Sequence, residues 1–460
     1  MIYFVAAVAG IAGFLFGFDE GVIAGALHLL RAQFDITSTQ EGVMTAAVPF
    51  GALFGALAAG RAVERFGRRA MLLFAAVLFA IGAAFASAAL GAEMLTFARL
   101  VLGFAIGIAG LVAPLYISES APADKRGMLV SIYQLSVTVG ILGAYLVGFA
   151  FDDSWRIMFA IGIIPGVALF AGMMMLRDTP RFLAISGKPE AARKAMASLR
   201  GVPASDPEIE RELSEIEETA EQDRGQRGWA ELFGPVARPA LIVGIGLFFL
   251  QQLSGINAVI YYAPTVFQEA GFSGASTQLL ATIGIGIVNV AMTVVGMLLI
   301  DRIGRRKLLL TGFCLAALSL GMIAIGAATG AQSLDVLAFV GLVVYIGAFA
   351  VSLGPLPYVM MSEVFPLNVR GRGMSIASLT NWGFNFVVVF SFPILVAHLG
   401  LGGVFAIYAI ICALGLVFAY RYVPETSGIE LEDIEEHLRS GKPFRELGRT
   451  VGARPAAATA

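Results

Sequence analysis

GRAVERFGRR at Gly60–Arg69 recurs about 240 residues later as GMLLIDRIGRR at Gly296–Arg306. Two further pairs follow in the same order and at a similar spacing. PLYISESAPADKRG (114–127) pairs with PLPYVMMSEVFPLNVRG (355–371), and RDTPR (177–181) pairs with VPETSG (423–428). Three charged motifs repeated in one order indicate a duplicated chain with two like-oriented halves. In a membrane protein, such parallel repeats are typical of alternating-access transporters.

The composition predicts a membrane protein. The chain is 58% hydrophobic and 14% charged, whereas soluble domains are roughly half apolar and a quarter charged. Apolar runs long enough to cross a hydrocarbon core of about 30 Å recur throughout. The predicted spans are 4–29, 43–60, 70–90, 94–116, 128–151, 156–176, 239–268, 277–300, 308–328, 336–361, 374–397 and 402–422. We therefore expect an all-α membrane protein with twelve transmembrane helices in two repeated six-helix bundles.

The basic residues predict the orientation in the membrane. Of 31 Lys and Arg, only Arg31, Arg99 and Arg156 lie outside the termini, counting the C-terminal one from Arg421, and the alternate loops at 61–69, 117–127, 177–238, 301–307 and 370–373. The positive-inside rule places those loops and both termini in the cytoplasm. We predict four domains: an N-terminal bundle (1–176), an intracellular helical linker domain (177–238), a C-terminal bundle (239–422), and a cytoplasmic helix with a disordered tail (423–460).

The linker and the tail contain polar helical stretches. Helices are predicted at Pro189–Leu199 and Pro207–Gln222, the second with Leu213 and Ile216 as an apolar stripe. LEDIEEHL (431–438) resembles them, and RPAAATA after it has the composition of a disordered segment. These helices could be solvated connectors between the two halves, or they could also form a cytoplasmic latch.

Asp19 and Glu20 lie deep inside the first predicted span. An ionised carboxylate at such depth costs several kcal/mol unless it is paired or neutralised, so a functional role is the default. Arg99, an isolated charge in the fourth span, is the expected partner. Such a carboxylate can alternate between a neutral, unpaired form and an ionised, Arg-paired form, which makes a proton-driven switch. The alternative is a static buried salt bridge. Glu20 lies about 100° round the helix and is a second candidate acid.

The seventh span, FFLQQLSGINAVIYYAP (248–264), has many amide and phenol groups. Gln251, Ser254 and Tyr262 fall on one helix face. Amides both donate and accept hydrogen bonds and carry no charge, which suits a neutral, hydroxyl-rich ligand. Similar side chains occur in other spans: Gln134, Asn289, Asn381, Trp382 and Asn385. Such groups can also join helices at roughly 1 kcal/mol or less each. The set as a whole predicts a sugar pocket with amide hydrogen bonds and aromatic stacking surfaces.

The repeated motifs at the cytoplasmic ends combine acids with arginines. We predict a cytoplasmic gate of inter-helix salt bridges from Glu64, Arg68, Arg69, Glu119 and Arg126 in the first half, and from Asp301, Arg305, Arg306, Glu363 and Arg370 in the second. Snorkelling arginines that fix the topology are the simpler explanation.

Other classes of function find little support in the sequence. Cys314 and Cys412 are widely separated inside apolar spans, and the three histidines form no cluster, so neither a disulfide nor a metal site is expected. No nucleophile–base set is visible. We expect no enzymatic activity, no cofactor and no nucleic-acid partner. The expected partners are the bilayer, a sugar and a proton, and the expected state is a monomer because each chain holds both halves.

These motifs together resemble the sugar porter family of the major facilitator superfamily. RLVLGFAIG (99–107), PLYISESAP, QQLSGINAVIYYAP, the two GRR loops and PETSG carry the resemblance, which covers about residues 10 to 440. It implies a central site at mid-membrane and uptake of a monosaccharide. By motif position the sugar contacts would be Gln134, Gln251, Gln252, Asn257, Asn289, Asn381 and Trp382. Two more candidates are Tyr262, on the polar face of the seventh span, and Tyr358, in the inferred pocket.

Proton-coupled members of that family look like this chain at Asp19 and Arg99, whereas animal-type facilitators usually lack the first-span Asp. The resemblance therefore favours a proton symporter in the cell (inner) membrane. Ile141 stands where several pentose carriers have Gln, and Tyr358 where many hexose carriers have Trp. Hexose, pentose and a polyol such as inositol stay open as substrates, and so does a passive facilitator. A non-transporting sugar sensor is disfavoured by the short C-terminal tail.

Overall fold

A computed structural model describes residues 1–122, 125–224, 229–366, 369–429 and 431–447. In these ranges all regular structure is helical, and no strand is present. Eleven helical segments are long and apolar enough to span a membrane. The last of them, Arg370–Tyr422, is interrupted at Gly400, whose φ of 67° and ψ of 172° are not helical. That break divides it into two spans, so the predicted all-α fold with twelve transmembrane helices is confirmed.

The first half contains six spans. They are α1 (Ile2–Phe34), α2 (Ser38–Phe66), α3 (Arg68–Ser87), α4 (Ala92–Ser120), α5 (Arg126–Ala150), and α6 (Trp155–Ile161) followed by α7 (Ile163–Met175). A capping box between Thr37 and Gln40 starts α2. Helices α2 and α4 lie close together because Gly103 and Gly107 have no side chain where the carbonyls of Val48 and Ala52 approach. The glycine spacing in RLVLGFAIG thus serves helix packing.

Four short helices follow the sixth span: α8 (Pro180–Ile185), α9 (Pro189–Arg200), α10 (Pro207–Arg224) and α11 (Trp229–Leu232). Helices α9 and α10 match the two stretches predicted in the linker. They share a small apolar core that includes Met196, Ile209 and Leu213, with Ile216 packed against it. Arg200 pairs with Glu212 at 2.7 Å and also donates to the Ser120 carbonyl at the end of α4. The predicted apolar stripe therefore joins two linker helices.

The second half repeats the six spans with more interruptions. Its helices are α12 (Arg238–Leu253), α13 (Ile256–Tyr261), α14 (Ala263–Glu269), α15 (Ala275–Ile303), α16 (Arg305–Ala328), α17 (Leu334–Ala348), α18 (Leu356–Val364), α19 (Arg370–Tyr422) and α20 (Leu431–Arg439). The seventh span breaks at Gly255, whose φ is 90°. The tenth contains a π-helical segment, Phe349–Leu353, before Pro355 starts α18. Helix α20 matches the predicted LEDIEEHL helix, and the predicted disordered tail from residue 448 onward lies outside the described residues.

The helices form two compact units that do not follow the linear order of the chain. Unit 1 comprises residues 1–225, 257–290 and 385–398, and unit 2 comprises residues 226–256, 291–384 and 399–460. Three segments of the second half (α13, α14 and the start of α15) and residues 385–398 of α19 thus belong to the unit that holds the first half. The four predicted domain boundaries stay a prediction.

Candidate functional site

Asp19 on α1 and Arg99 on α4 lie together in the core of unit 1. Arg99 Nη1 is 3.7 Å from Asp19 Oδ1, and their side chains are 0% and 2% exposed. That distance is short enough for an ion pair and too long for a hydrogen bond. Arg99 Nε donates to the Met44 carbonyl at 3.0 Å, so α2 fixes the guanidinium in place. Asp19 Oδ2 and both Arg99 Nη atoms find no hydrogen-bond partner in the described residues. The two side chains therefore lie within ion-pair distance of each other without a hydrogen bond between them.

Two further polar groups lie in the same core. Glu20 is 3% exposed, next to Asp19 in the chain. The hydroxyl of Tyr261 on α13 is buried and has no hydrogen-bond partner among the described residues. Tyr145 on α5 donates to the Ile260 carbonyl at 2.9 Å, which ties α13 to the first half. The acidic centre is thus bordered by a second-half segment of the seventh span.

Unit 2 contains a connected set of amides and a phenol. Gln252 Nε2 donates to Asn381 Oδ1 at 2.5 Å, and Asn381 Nδ2 donates to the Tyr358 hydroxyl at 3.1 Å. Gln252 and Asn381 are each 5% exposed, Trp382 is 7% exposed, and Tyr358 is 44% exposed. The structure therefore brings together three of the predicted sugar contacts, one of them with an open aromatic surface.

Gln251 has a different environment. Its Nε2 donates to the carbonyls of Leu353 and Gly354, at 2.8 and 3.0 Å. These carbonyls follow the π-helical segment, where a regular helix ladder does not satisfy them. The buried Oε1 of Gln251 has no partner in the described residues. Gln251 thus stabilises the break in the tenth span through its amide nitrogen.

The other predicted sugar contacts lie in unit 1. Asn257 and Asn289 are buried at 6% and 8%, and Tyr262 is fully buried. The Tyr262 hydroxyl donates to the Val389 carbonyl at 3.1 Å, and its ring stacks on Phe392. Gln134 on α5 is partly exposed. Tyr262, which immediately precedes α14, therefore helps to hold the seventh span against residues 385–398.

A network that the sequence did not predict lies near the loop between α1 and α2. Arg31 makes a bidentate ion pair with Glu41, with Nε–Oε2 and Nη2–Oε1 distances of 2.6 Å. The same Nη2 donates to Thr265 Oγ1 on α14 at 3.2 Å. The Glu41 side chain is 4% exposed and that of Arg31 is 31% exposed. One guanidinium therefore joins two first-half helices to a second-half helix, all within unit 1.

The charged motifs of the first half form a second network. Arg68 Nη2 lies 2.7 Å from Glu119 Oε1, and Thr179 Oγ1 donates to Glu119 Oε2 at 2.6 Å. Asp178 Oδ1 accepts the backbone N–H groups of Arg68 and Arg69, which caps the N-terminus of α3. Gly67 precedes this turn with a φ of 90°, a conformation that favours glycine.

The second half builds the same network in unit 2. Arg305 Nη2 lies 3.1 Å from Glu363 Oε1, and Thr426 Oγ1 donates to Glu363 Oε2 at 2.5 Å. Glu425 accepts the backbone N–H groups of Arg305 and Arg306 at the start of α16. Gly304 has a φ of 95°. The motif pairs recognised in the sequence thus have equivalent contacts, including the Asp178 and Glu425 caps.

The remaining predicted gate residues lie outside these ion pairs. Glu64 and Arg126 are exposed and contact no charged partner in the described part of the chain. Arg69 and Arg306 donate instead to carbonyls of the sixth and twelfth spans, at Met173 and Tyr420. Arg370 donates to the Phe365 carbonyl. The side chain of Asp301 is outside the described part of the structure.

Comparison with known proteins gives a consistent result. Residues 5–438 match the family described as sugar (and other) transporter. The D-xylose transporter of Levilactobacillus brevis is 40% identical over 98% of both chains. The galactose-proton symporter of Escherichia coli K12 is 39% identical over 97% of each chain. The inward open structure of the xylose transporter XylE from E. coli has a TM-score of 0.82 and 29% identity, and covers 95% of this chain and 99% of that one.

A twelve-span helical fold with a duplicated charged network defines a transporter of the major facilitator superfamily. The chain belongs to the sugar (and other) transporter family. The resemblance seen in the sequence motifs is therefore confirmed, and the protein is a multi-pass membrane protein.

Proposed function

We propose that the protein is a proton-coupled symporter that imports a monosaccharide by alternating access. The observation that carries this proposal is the geometry of Asp19 and Arg99. They lie in a fully buried ion pair at 3.7 Å without a hydrogen bond between them. Two relatives with about 40% identity are named for xylose transport and for galactose–proton symport. Symport of a hexose or pentose is consistent with both.

Protonation of Asp19 would remove its attraction for Arg99 while α2 still holds the guanidinium through the Met44 carbonyl. The energy of the proton then drives the cycle. One charge falling through about 100 mV releases roughly 2.3 kcal/mol. Because 1.4 kcal/mol is a factor of ten, that energy supports about 50-fold accumulation of sugar.

The amide set is proposed to bind the sugar. Gln252, Asn381 and Tyr358 form a chain of hydrogen bonds between amide and phenol groups, which are the donors and acceptors that suit sugar hydroxyls. Trp382 supplies an aromatic face beside Asn381. Gln251 of the same unit is a further proposed contact. Gln134, Asn257, Tyr262 and Asn289 stay predicted contacts from the sequence. A polyol offers the same hydroxyl groups, so inositol is one of the substrates to be tested.

The contacts inside unit 1 fit a conformation closed on the side of the α1–α2 loop. Arg31, Tyr145 and Phe50 contact second-half residues Thr265, Ile260 and Phe386 respectively. We assign that side to the exterior because basic residues concentrate in the opposite loops and at the termini. The Arg68–Glu119 and Arg305–Glu363 pairs are the proposed cytoplasmic gate. The cell membrane as location, cytoplasmic termini and a monomeric state are parts of the same proposal.

Asp19→Asn separates coupling from binding. In proteoliposomes this variant should exchange labelled sugar across the membrane but fail to concentrate it under an imposed proton gradient. If the protein is a passive facilitator, the wild type and Asp19→Asn should carry sugar equally and neither should concentrate it. The Asp19–Arg99 pair would then have only a structural role. Concentrative uptake that survives in Asp19→Asn rejects the role given to Asp19. Loss of exchange as well would point to a structural pair, which Asp19→Glu tests by restoring the carboxylate.

A further inference from the structure

Three exposed arginines of unit 2 line one cavity. Arg238 begins α12, Arg421 ends α19, and Arg445 lies in the short 3-10 helix Phe444–Glu446. All three line a cavity of about 470 Å³, together with Tyr422 and Phe444. No carboxylate is among its described lining residues, and none of the three guanidiniums forms an ion pair or side-chain hydrogen bond in the described ranges. Three positive charges around one cavity make the local potential positive, which favours binding of an anion.

The same place carries the positive end of a helix. Helix α12 is 16 residues long and has no side-chain cap at its N-terminus. Pro235, Arg238 and Pro239 of that terminus line the cavity. The N–H groups of a helix N-terminus and its dipole favour a negative group there. The three arginines and the helix end therefore point to one bound anion.

An apolar groove continues from this cavity. A second cavity, of about 450 Å³, shares Arg238 and Ile242 with the first. Its other walls are Phe233, Leu241, Ile245, Phe249 and Phe418. From Arg238 to Phe249 the helix rises by about 16 Å, roughly one leaflet of a 30 Å hydrocarbon core. Several of these apolar side chains are exposed on the protein surface, Phe233 by 60% and Ile242 by 41%.

We propose that this surface binds one anionic phospholipid, with the phosphate among Arg238, Arg421 and Arg445 and an acyl chain along the groove. The groove favours a lipid over a free phosphate because an inorganic anion would leave the apolar walls without an occupant. The bound lipid fastens the Pro443–Arg445 segment to the ends of α12 and α19. The orientation proposed above places this lipid in the cytoplasmic leaflet. Lipid binding itself does not depend on sugar transport.

Native mass spectrometry of the full-length purified protein tests this site. Increasing amounts of phosphatidylglycerol or phosphatidylcholine are added, and bound lipids per chain are counted. We expect one tightly retained phosphatidylglycerol and no equivalent phosphatidylcholine. Each basic residue near an anionic lipid contributes about a factor of five in affinity, so the triple variant R238Q/R421Q/R445Q should bind phosphatidylglycerol about a hundredfold more weakly. Equal binding of both lipids by the wild type rejects the anion site.

Matched controls distinguish the site from general surface charge. The variant K307Q/R439Q/K442Q loses three positive charges outside both cavities and should bind like the wild type. The variant R238K/R421K/R445K keeps the charges and should retain most of the affinity, which guards against misfolding of the Gln variant. Equal loss in both Gln variants rejects the assignment to these three arginines.

Two further arms test the occupant. Millimolar inorganic phosphate should not displace the lipid, and dihexanoyl phosphatidylglycerol should bind at least tenfold more weakly than the long-chain lipid. Displacement by phosphate would make this a free-anion site, and equal binding of the short-chain lipid would remove the groove from the proposal. Because no sugar is present, failure here leaves the proposed symport untouched.

Discussion

Thr265→Val tests whether the Arg31 network stabilises the state closed on the side of the α1–α2 loop. Arg31 Nη2 gives one hydrogen to Glu41 Oε1 at 2.6 Å and the other to Thr265 Oγ1 at 3.2 Å. Valine matches the shape of threonine but cannot accept the second hydrogen bond. The Arg31–Glu41 pair itself stays intact, because both residues belong to the first half.

The size of the effect follows from this geometry. Hydrogen bonds to charged groups contribute about 1.5–3 kcal/mol. This bond is long for its type, and the Arg31 side chain is 31% exposed, so water can replace the lost contact. We therefore expect about 1 kcal/mol, which shifts the ratio of open to closed molecules about fivefold towards the open state.

Electron paramagnetic resonance between two spin labels measures that ratio. Labels at Thr39→Cys and Ser273→Cys are suitable because both positions are exposed, one in the first turn of α2 and one after α14. The native Cys314 and Cys412 are first replaced by Ala. Thr265→Val should increase the long-distance population, whereas Thr265→Ser, which keeps the hydroxyl, should leave it unchanged. A change of less than twofold in the Val variant, or the same change in the Ser variant, refutes the role of this hydrogen bond.

Three other substitutions test separate parts of the structure. Gln252→Ala should weaken sugar binding by about 1–3 kcal/mol, measured by calorimetry, because the hydrogen-bonded amide chain loses a member; unchanged affinity removes Gln252 from the sugar site. Glu363→Gln should lower the melting temperature in detergent because it removes the charge that pairs with Arg305. Glu64→Gln should not, because Glu64 is exposed and has no ion pair in the described part of the chain. Equal effects of the two substitutions would contradict the ion-pair network. Gly103→Ala places a methyl group against a carbonyl of α2 and should destabilise the protein by about 1–3 kcal/mol. Gly60→Ala, with no atom within 4 Å of the new methyl group, is its control, and a tolerated Gly103→Ala would contradict the close approach of α2 and α4.

The sequence was most informative where a motif repeats or where a charged residue lies inside an apolar span. Apolar runs long enough for a bilayer predicted the spans, because their length and hydrophobicity are local properties. The duplicated motifs predicted inter-helix salt bridges among ten charged residues, and the structure pairs Arg68 with Glu119 and Arg305 with Glu363. Asp19 and Arg99 were predicted to be partners because isolated charges are costly inside a span. Each of these signals can be read from a single chain.

Other features depend on contacts that no local pattern encodes. Arg31 and Thr265 are 234 residues apart in sequence and meet only in the folded unit. Gln251 was predicted as a sugar contact from its residue type, yet its amide also satisfies the Leu353 and Gly354 carbonyls at a π-helical break. The division of the seventh span into α12, α13 and α14 likewise follows from Gly255 and from tertiary packing. Arg238 is more than 180 residues from Arg421 and Arg445 in sequence, so only the fold shows that the three arginines share a cavity.

Proton movement with sugar entry tests the central claim most directly. Purified protein is reconstituted into liposomes that contain a pH-sensitive dye, and a panel of hexoses, pentoses and inositol is added outside. We predict that one sugar acidifies the lumen and that Asp19→Asn liposomes show no acidification with the same sugar. Entry of labelled sugar without any acidification in the wild-type liposomes would contradict symport, and would leave Asp19 and Arg99 as a structural pair in a passive facilitator.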